Sequence, residues 1–204
     1  MRYIFFFLVL LTAQQGMCQE SLSQLVDQYA EENNFSGVVM VATDGKPDIL
    51  KAVGLANRET GKAMQTDSKF RIASMTKVFT AVLTMKLVEE GKLALDKPIS
   101  AYFPEYVGEG KDQATLHHLL TYSSGIENIA DKLGMGPYQV QLSLDEYIGK
   151  YCSGPLVYLP GSESRYGNTE YILIQKIIEK VSGRSFEKNL TAHILGPLHL
   201  RNTG

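Results

Sequence analysis

Only two stretches of this chain read as β-strands, and two strands alone do not make a sheet that stands in water. The run from Gly37 to Thr43 is apolar and β-branched, Asp44-Gly45 is a turn signal, and Ile49 to Ala56 resumes an extended pattern. That predicts one hairpin. Burying the apolar face of a hairpin takes three or more strands or a packed helix. A helix is at hand: Leu22, Leu25, Val26, Tyr29 and Ala30 recur at helical spacing, with Ser21 placed to cap them. The expected fold class is α+β, with an N-terminal helix and one hairpin of an antiparallel sheet followed by a helical domain. The remaining strands of that sheet are missing from the sequence. The chain stops at Asn202-Thr203-Gly204 with no terminal change in composition, as a truncated reading frame would.

The helical part is punctuated by its own stop signals. Ser74 to Glu90 carries Val78, Val82, Leu83, Met85, Leu87 and Val88, with Gly91 just past its end, and predicts a long, largely buried helix. Pro98 and Pro104 break the next stretch. Short helices are expected over Thr115 to Thr121 and Asp145 to Tyr151. Tyr171 to Val181 repeats the amphipathic pattern with Gly183 as its stop, and Ser185 to Ile194 follows.

Residues 1–18 read differently: Arg2 is a positive start, Ile4 to Ala13 is almost entirely apolar, and small or polar residues follow to Cys18. This is a signal-peptide pattern, too short to span a membrane, so the expected organisation is a leader over 1–18 and a partial domain over 19–204, divided into 19–69 and 70–204. The expected protein is exported, periplasmic or extracellular, and lipid anchoring through Cys18 is the rival reading. Cys152 is the other cysteine, and without Cys18 it has no partner and reads as a small buried hydrophobe. A formal net charge of -2 gives no general attraction to nucleic acid. The expected partner is a small-molecule or peptide substrate.

Chemistry enters at Ser74-Met75-Thr76-Lys77, a hydroxyl and an amine three residues apart at a helix start, where positions i and i+3 share a face. A serine hydroxyl is a weak nucleophile until a base takes its proton, and a lysine amine in a suitable setting can do so. The free N–H groups of a helix start also favour developing negative charge. Spacing alone does not select this pair, because Ser185-Phe186-Glu187-Lys188 repeats it. Ser185 reads as the N-cap of a short helix, and Ser74 has the same bland reading open to it.

The surrounding residues separate the two. Phe70 to Ala81, Phe-Arg-Ile-Ala-Ser-Met-Thr-Lys-Val-Phe-Thr-Ala, resembles the first active-site motif of the beta-lactamase-related serine hydrolases, which include class C beta-lactamases, D-alanyl-D-alanine peptidases and related esterases. The resemblance continues through Leu87 to Leu93, Leu95 to Ile99, His118 to Ile126, and Pro160-Gly161 through Gly196-Pro197-Leu198. Tyr166-Gly167-Asn168 is similar to the family's second motif, Tyr-x-Asn. The resemblance implies a beta-lactamase/transpeptidase-like fold, Ser74 as nucleophile, Lys77 as its activator, Tyr166 as proton relay and Asn168 as the residue holding the lysine and a substrate amide. It implies neither cofactor nor metal. Alone, Tyr166 reads as a loop aromatic and Asn168 as a helix cap. The family's third motif, Lys-Thr-Gly or His-x-Gly on an inner strand, has no counterpart: Glu59-Thr60-Gly61 precedes the nucleophile, and Asn202-Thr203-Gly204 lacks the basic residue. Tyr122 stands where the family often has His, and Lys97 where it often has Asp.

The expected function is acylation of Ser74 and hydrolysis of a β-lactam, a D-alanyl peptide or a small ester. The alternatives are a penicillin-recognising binding or regulatory protein that does not turn over, and an inactive gene fragment. His117, His118, His193 and His199 have no metal-ligand spacing, and neither a Gly-x-Ser-x-Gly elbow nor a phosphate-cradling glycine loop occurs.

Overall fold

A computed structural model describes residues 21–134 and 136–203 and divides the chain into two compact units, one ending at Arg71 and the other starting at Ile72. The expected leader and Cys18 lie outside the described residues.

In the first unit, α1 (21–33) precedes an antiparallel pair, β1 (Gly37–Thr43) and β2 (Lys46–Val53), in the register Val38 to Ala52 and Met40 to Leu50. Asp44 and Gly45 both hold positive φ, 51° and 74°, which is what a two-residue hairpin turn asks of its central positions. Lys51 of β2 binds the helix, its Nζ lying 2.6 Å from Asp27 Oδ2 and 2.7 Å from Ser23 Oγ. The single expected hairpin needs correction: β2 begins three residues earlier, and the extended run breaks at Gly54. A second small pair follows, β3 (Leu55–Asn57) with β4 (Lys62–Ala63), and Glu59-Thr60-Gly61 lies in its turn. Gly54 has a φ of 73°, and a side chain there would lie 2.3 Å from the Ser36 hydroxyl. No third strand joins either pair among the described residues.

The second unit is built on two helices of similar length, α2 (Thr76–Glu89) and α6 (Thr169–Ser182), which pack together. Between them in sequence come α3 (Leu116–Leu120), α4 (Ile129–Lys132) and α5 (Leu144–Tyr151), and α7 (Phe186–Leu190) follows. Their ends follow the sequence signals. Thr115 caps α3, Ser143 and Glu146 form a reciprocal capping box on α5, and Gly183 closes α6 in the left-handed conformation at φ 66°. Ser185 caps α7, its Oγ accepting from the Lys188 N–H at 3.3 Å. The core is apolar and continuous: Leu83 and Leu87 from α2, Leu116 and Leu119 from α3, and Leu173, Ile174, Ile177 and Ile178 from α6 are all fully buried. Cys152 is buried among them, and burial pushes its thiol up to about 12. Truncating Ile177 to alanine is expected to cost about 2–5 kcal/mol, read as a lowered denaturation midpoint with an unchanged slope.

One expectation about α2 fails. Its Leu83 and Leu87 side is sealed, but Val78, Val82 and Met85 on the opposite side are 65%, 47% and 46% exposed. The helix is apolar on all sides, so its sequence shows that both faces favour burial without showing that both are covered. No described helix is long and apolar enough to cross a membrane.

Candidate active site

Ser74 does not start the α-helix. It sits in a 3-10 turn, Ala73–Met75, and α2 begins two residues later. Ala73 takes a positive φ of 45°, turning the chain into that turn. Neither the turn nor α2 has a side-chain cap, so the bland reading of Ser74 as a capping residue does not hold. Its hydroxyl instead lies 3.3 Å from Nζ of Lys77, one turn further along the same face.

Lys77 gathers the other two residues singled out in the sequence. Its Nζ donates to Tyr166 Oη at 3.1 Å and to Asn168 Oδ1 at 2.6 Å, across about ninety residues of chain. The loop carrying Tyr166 is laced to the turn after α3 by Gly161 N to Ser123 O at 2.8 Å, Arg165 N to Tyr122 O at 2.9 Å and Ser164 Oγ to Thr121 O at 3.0 Å. Gly125 lets the loop approach: at φ 76°, any side chain there would lie 2.1 Å from the Tyr158 carbonyl oxygen. A buried bond from Ser124 Oγ to Glu170 Oε1 at 2.9 Å fastens the same turn to α6, and burial pushes the Glu170 carboxyl above the usual carboxylate range. Asn168 stands at the N-cap of α6 but makes no capping bond, because its side chain is turned to Lys77.

Electrostatics favour an ionisable phenol. Hydrogen bonding to the Ser74 hydroxyl, then to the Lys77 amine, holds the Tyr166 hydroxyl below its ordinary value, with the positive charge of Lys77 adding to the effect. The Tyr166 ring packs on Tyr122 at a centroid separation of 4.9 Å, and the Lys77 amine lies 4.9 Å from its centroid.

A cavity of about 560 Å³ opens beside the nucleophile, bordered by Ser74, Lys77, Asn168, Tyr171, Ile172 and Phe186. Tyr166 borders a neighbouring pocket of about 250 Å³ with Arg165 and Glu170, and meets the first group through its hydroxyl. Ser74, Lys77, Tyr166 and Asn168 therefore converge, whereas the Ser185 hydroxyl is taken up by the backbone N–H of Lys188 at the start of α7. No cluster of three or more His, Cys, Asp or Glu side chains able to hold a metal occurs among the described residues. Sequence reasoning missed Tyr138, which borders the cavity from the 3-10 turn Gly136–Gln139, and read the helix bearing Tyr171 only as an amphipathic packing element. Nothing in the local sequence pattern marks Tyr138.

Known proteins share this arrangement of elements. The chain is 33% identical over 198 residues to esterase EstB of Burkholderia gladioli, covering 90% of this chain and 50% of that protein. It superposes on the octameric penicillin-binding protein homologue from Pyrococcus abyssi with a TM-score of 0.71 and 34% identity, over 88% of this chain and 43% of that one. A class C beta-lactamase in complex with cefoxitin gives a TM-score of 0.74 at 23% identity, over 93% and 51%, a likeness of fold. The chain thus spans about half the length, or less, of the relatives it matches. The Beta-lactamase family model matches residues 22–204, essentially the whole described chain, and the protein belongs to that family.

Proposed function

We propose that this chain carries the acylation site of a serine hydrolase, with Ser74 as nucleophile, Lys77 and Tyr166 as the groups that move its proton, and Asn168 as the residue that holds Lys77 and a substrate amide or carbonyl. The observation that carries the reading is a single amine within hydrogen-bond reach of the Ser74 hydroxyl, the Tyr166 hydroxyl and the Asn168 carbonyl oxygen, at 3.3, 3.1 and 2.6 Å. In acylation, Ser74 Oγ bonds to the substrate acyl carbon while its proton passes to the Lys77–Tyr166 pair. The bond from that carbon to the leaving group then breaks, and the pair returns the proton to the departing atom. In deacylation, water bonds to the same carbon while giving a proton to the Lys77–Tyr166 pair, the ester bond to Ser74 Oγ breaks, and the pair passes that proton to Oγ as the acid leaves. The positive end of the α2 dipole favours the negative charge that develops beside Ser74.

A small ester is the substrate to test first, because the esterase from Burkholderia gladioli shares a third of the aligned residues. A β-lactam and a D-alanyl peptide follow. Treatment with a fluorophosphonate probe is expected to give one adduct, mapped by peptide mass spectrometry to Ser74. An adduct confined to another residue, or none, would overturn the assignment. A stable adduct with a true substrate and no product release would instead favour a recognition protein that does not turn over.

A further inference from the structure

The Asn168 amide lies between a cation and an anion. Its oxygen accepts from Lys77 Nζ at 2.6 Å, and its Nδ2 donates to Tyr138 Oη at 2.8 Å and lies 3.4 Å from Asp131 Oδ1. Tyr138 in turn donates its hydroxyl hydrogen to Asp131 Oδ1, and Asn128 Nδ2 donates to the other carboxylate oxygen at 2.5 Å. Asp131 belongs to α4 and Tyr138 to the 3-10 turn Gly136–Gln139.

The donor and acceptor inventory allows this amide one orientation. An ammonium group has no lone pair to offer, so Lys77 must face the amide oxygen, and the NH2 group must then face acceptors. Turned over, the amide would set N–H against the ammonium and its oxygen against a carboxylate. Burial, then the bond to Asp131, pushes the Tyr138 hydroxyl up to about 12. Tyr138 therefore stays protonated at neutral pH, giving its hydrogen to Asp131 and its lone pair to Asn168.

We propose that Asp131 and Tyr138 are positioning residues that lock the Asn168 amide with its oxygen toward Lys77, and so fix where the Lys77 amine stands relative to Ser74. The proposal rests on the reading of Ser74 and Lys77 as the acylation pair. Neither residue touches the reacting bond; each acts through Asn168. Displacement of a proton-moving group by about 1 Å is enough to slow a reaction by about 100-fold.

The test is the rate of fluorophosphonate labelling of the full chain, resolved into kinact and KI, for Asp131→Asn, Tyr138→Phe, Asn168→Ala and the double variants with Asn168→Ala. Asp131→Asn and Tyr138→Phe are each expected to lower kinact about 10- to 100-fold with KI nearly unchanged, whereas Asn168→Ala, which also removes a proposed substrate contact, serves as the background. In the Asn168→Ala background, Asp131→Asn and Tyr138→Phe are expected to add less than about twofold, because the group they act through is gone. Full additivity, wild-type kinact in the single variants, or a loss carried by KI would overturn the proposal. Labelling of the wild-type chain at Ser74 is the separate check on the acylation reading. A readout independent of acylation is hydrogen exchange of the Asn168 side-chain NH2, followed by 15N NMR. Exchange slow in the wild type and accelerated in Tyr138→Phe and Asp131→Asn supports the lock, and exchange unaffected by both substitutions overturns it.

Discussion

Ser74→Ala is expected to reduce hydrolysis of a chromogenic ester by about 10,000-fold or more while leaving the folded state as stable as before. The two halves of that expectation come from the same geometry. The Ser74 side chain is exposed, caps neither the 3-10 turn nor α2, and meets only the exposed polar ends of Lys77, at 3.3 Å, and Tyr166 among the described residues, so its loss opens no cavity and strands no buried partner. In the proposed mechanism it is the group that forms the covalent bond. Residual catalysis in such variants comes from binding and charge stabilisation, and it falls far short of the intact set. The measurement is steady-state turnover beside a thermal melt. Turnover within tenfold of the wild type at an unchanged melting temperature would remove Ser74 from the mechanism.

Tyr166→Phe is expected to lower kcat/KM by about 100- to 10,000-fold and to erase one limb of its pH profile. Bonds from Ser74 and Lys77 depress the Tyr166 pKa, so the phenolate forms at lower pH than it would in an isolated tyrosine. If the phenolate accepts the serine proton, kcat/KM rises with pH as Tyr166 ionises and levels off above its folded pKa, with the midpoint below the ordinary value of about 10. Removing the amine as Lys77→Met takes away two of the groups' stabilising influences, its hydrogen bond and its charge, so any residual rising limb moves to higher pH. A Tyr166→Phe profile with the same limb at the same midpoint would assign that ionisation to another group.

The two ends of the candidate site differed in how well the sequence displayed them. Ser74 and Lys77 were legible because helical geometry brings positions three apart onto one face and the surrounding Phe70 to Ala81 stretch set them apart from Ser185 and Lys188, and the actual departure, a 3-10 turn under Ser74, preserves that proximity. Tyr166 and Asn168 were legible through a short motif in the right order. Asp131, Tyr138 and Tyr171 were not, because their meeting with Lys77 or Asn168 is a tertiary event spanning 30 residues or more, which local periodicity does not encode. Strand pairing shows the same limit. The Gly37–Thr43 hairpin announced itself through alternation and a turn, whereas Leu55–Asn57 and Lys62–Ala63 are too short to show any period. Along α2, periodicity named the apolar positions correctly, but the expectation that the helix is largely buried failed at Val78, Val82 and Met85.

Ala73 carries a consequence for how the nucleophile is held. A residue with a Cβ is disfavoured at φ 45° by roughly 1–2 kcal/mol, and glycine, which tolerates that backbone, would lose more freedom on folding. Local preference therefore does not build the bend in front of Ser74. A short peptide with the same residues therefore has no local reason to hold that bend. The reactivity proposed for Ser74 is accordingly expected of the folded helical unit rather than of its most recognisable motif alone.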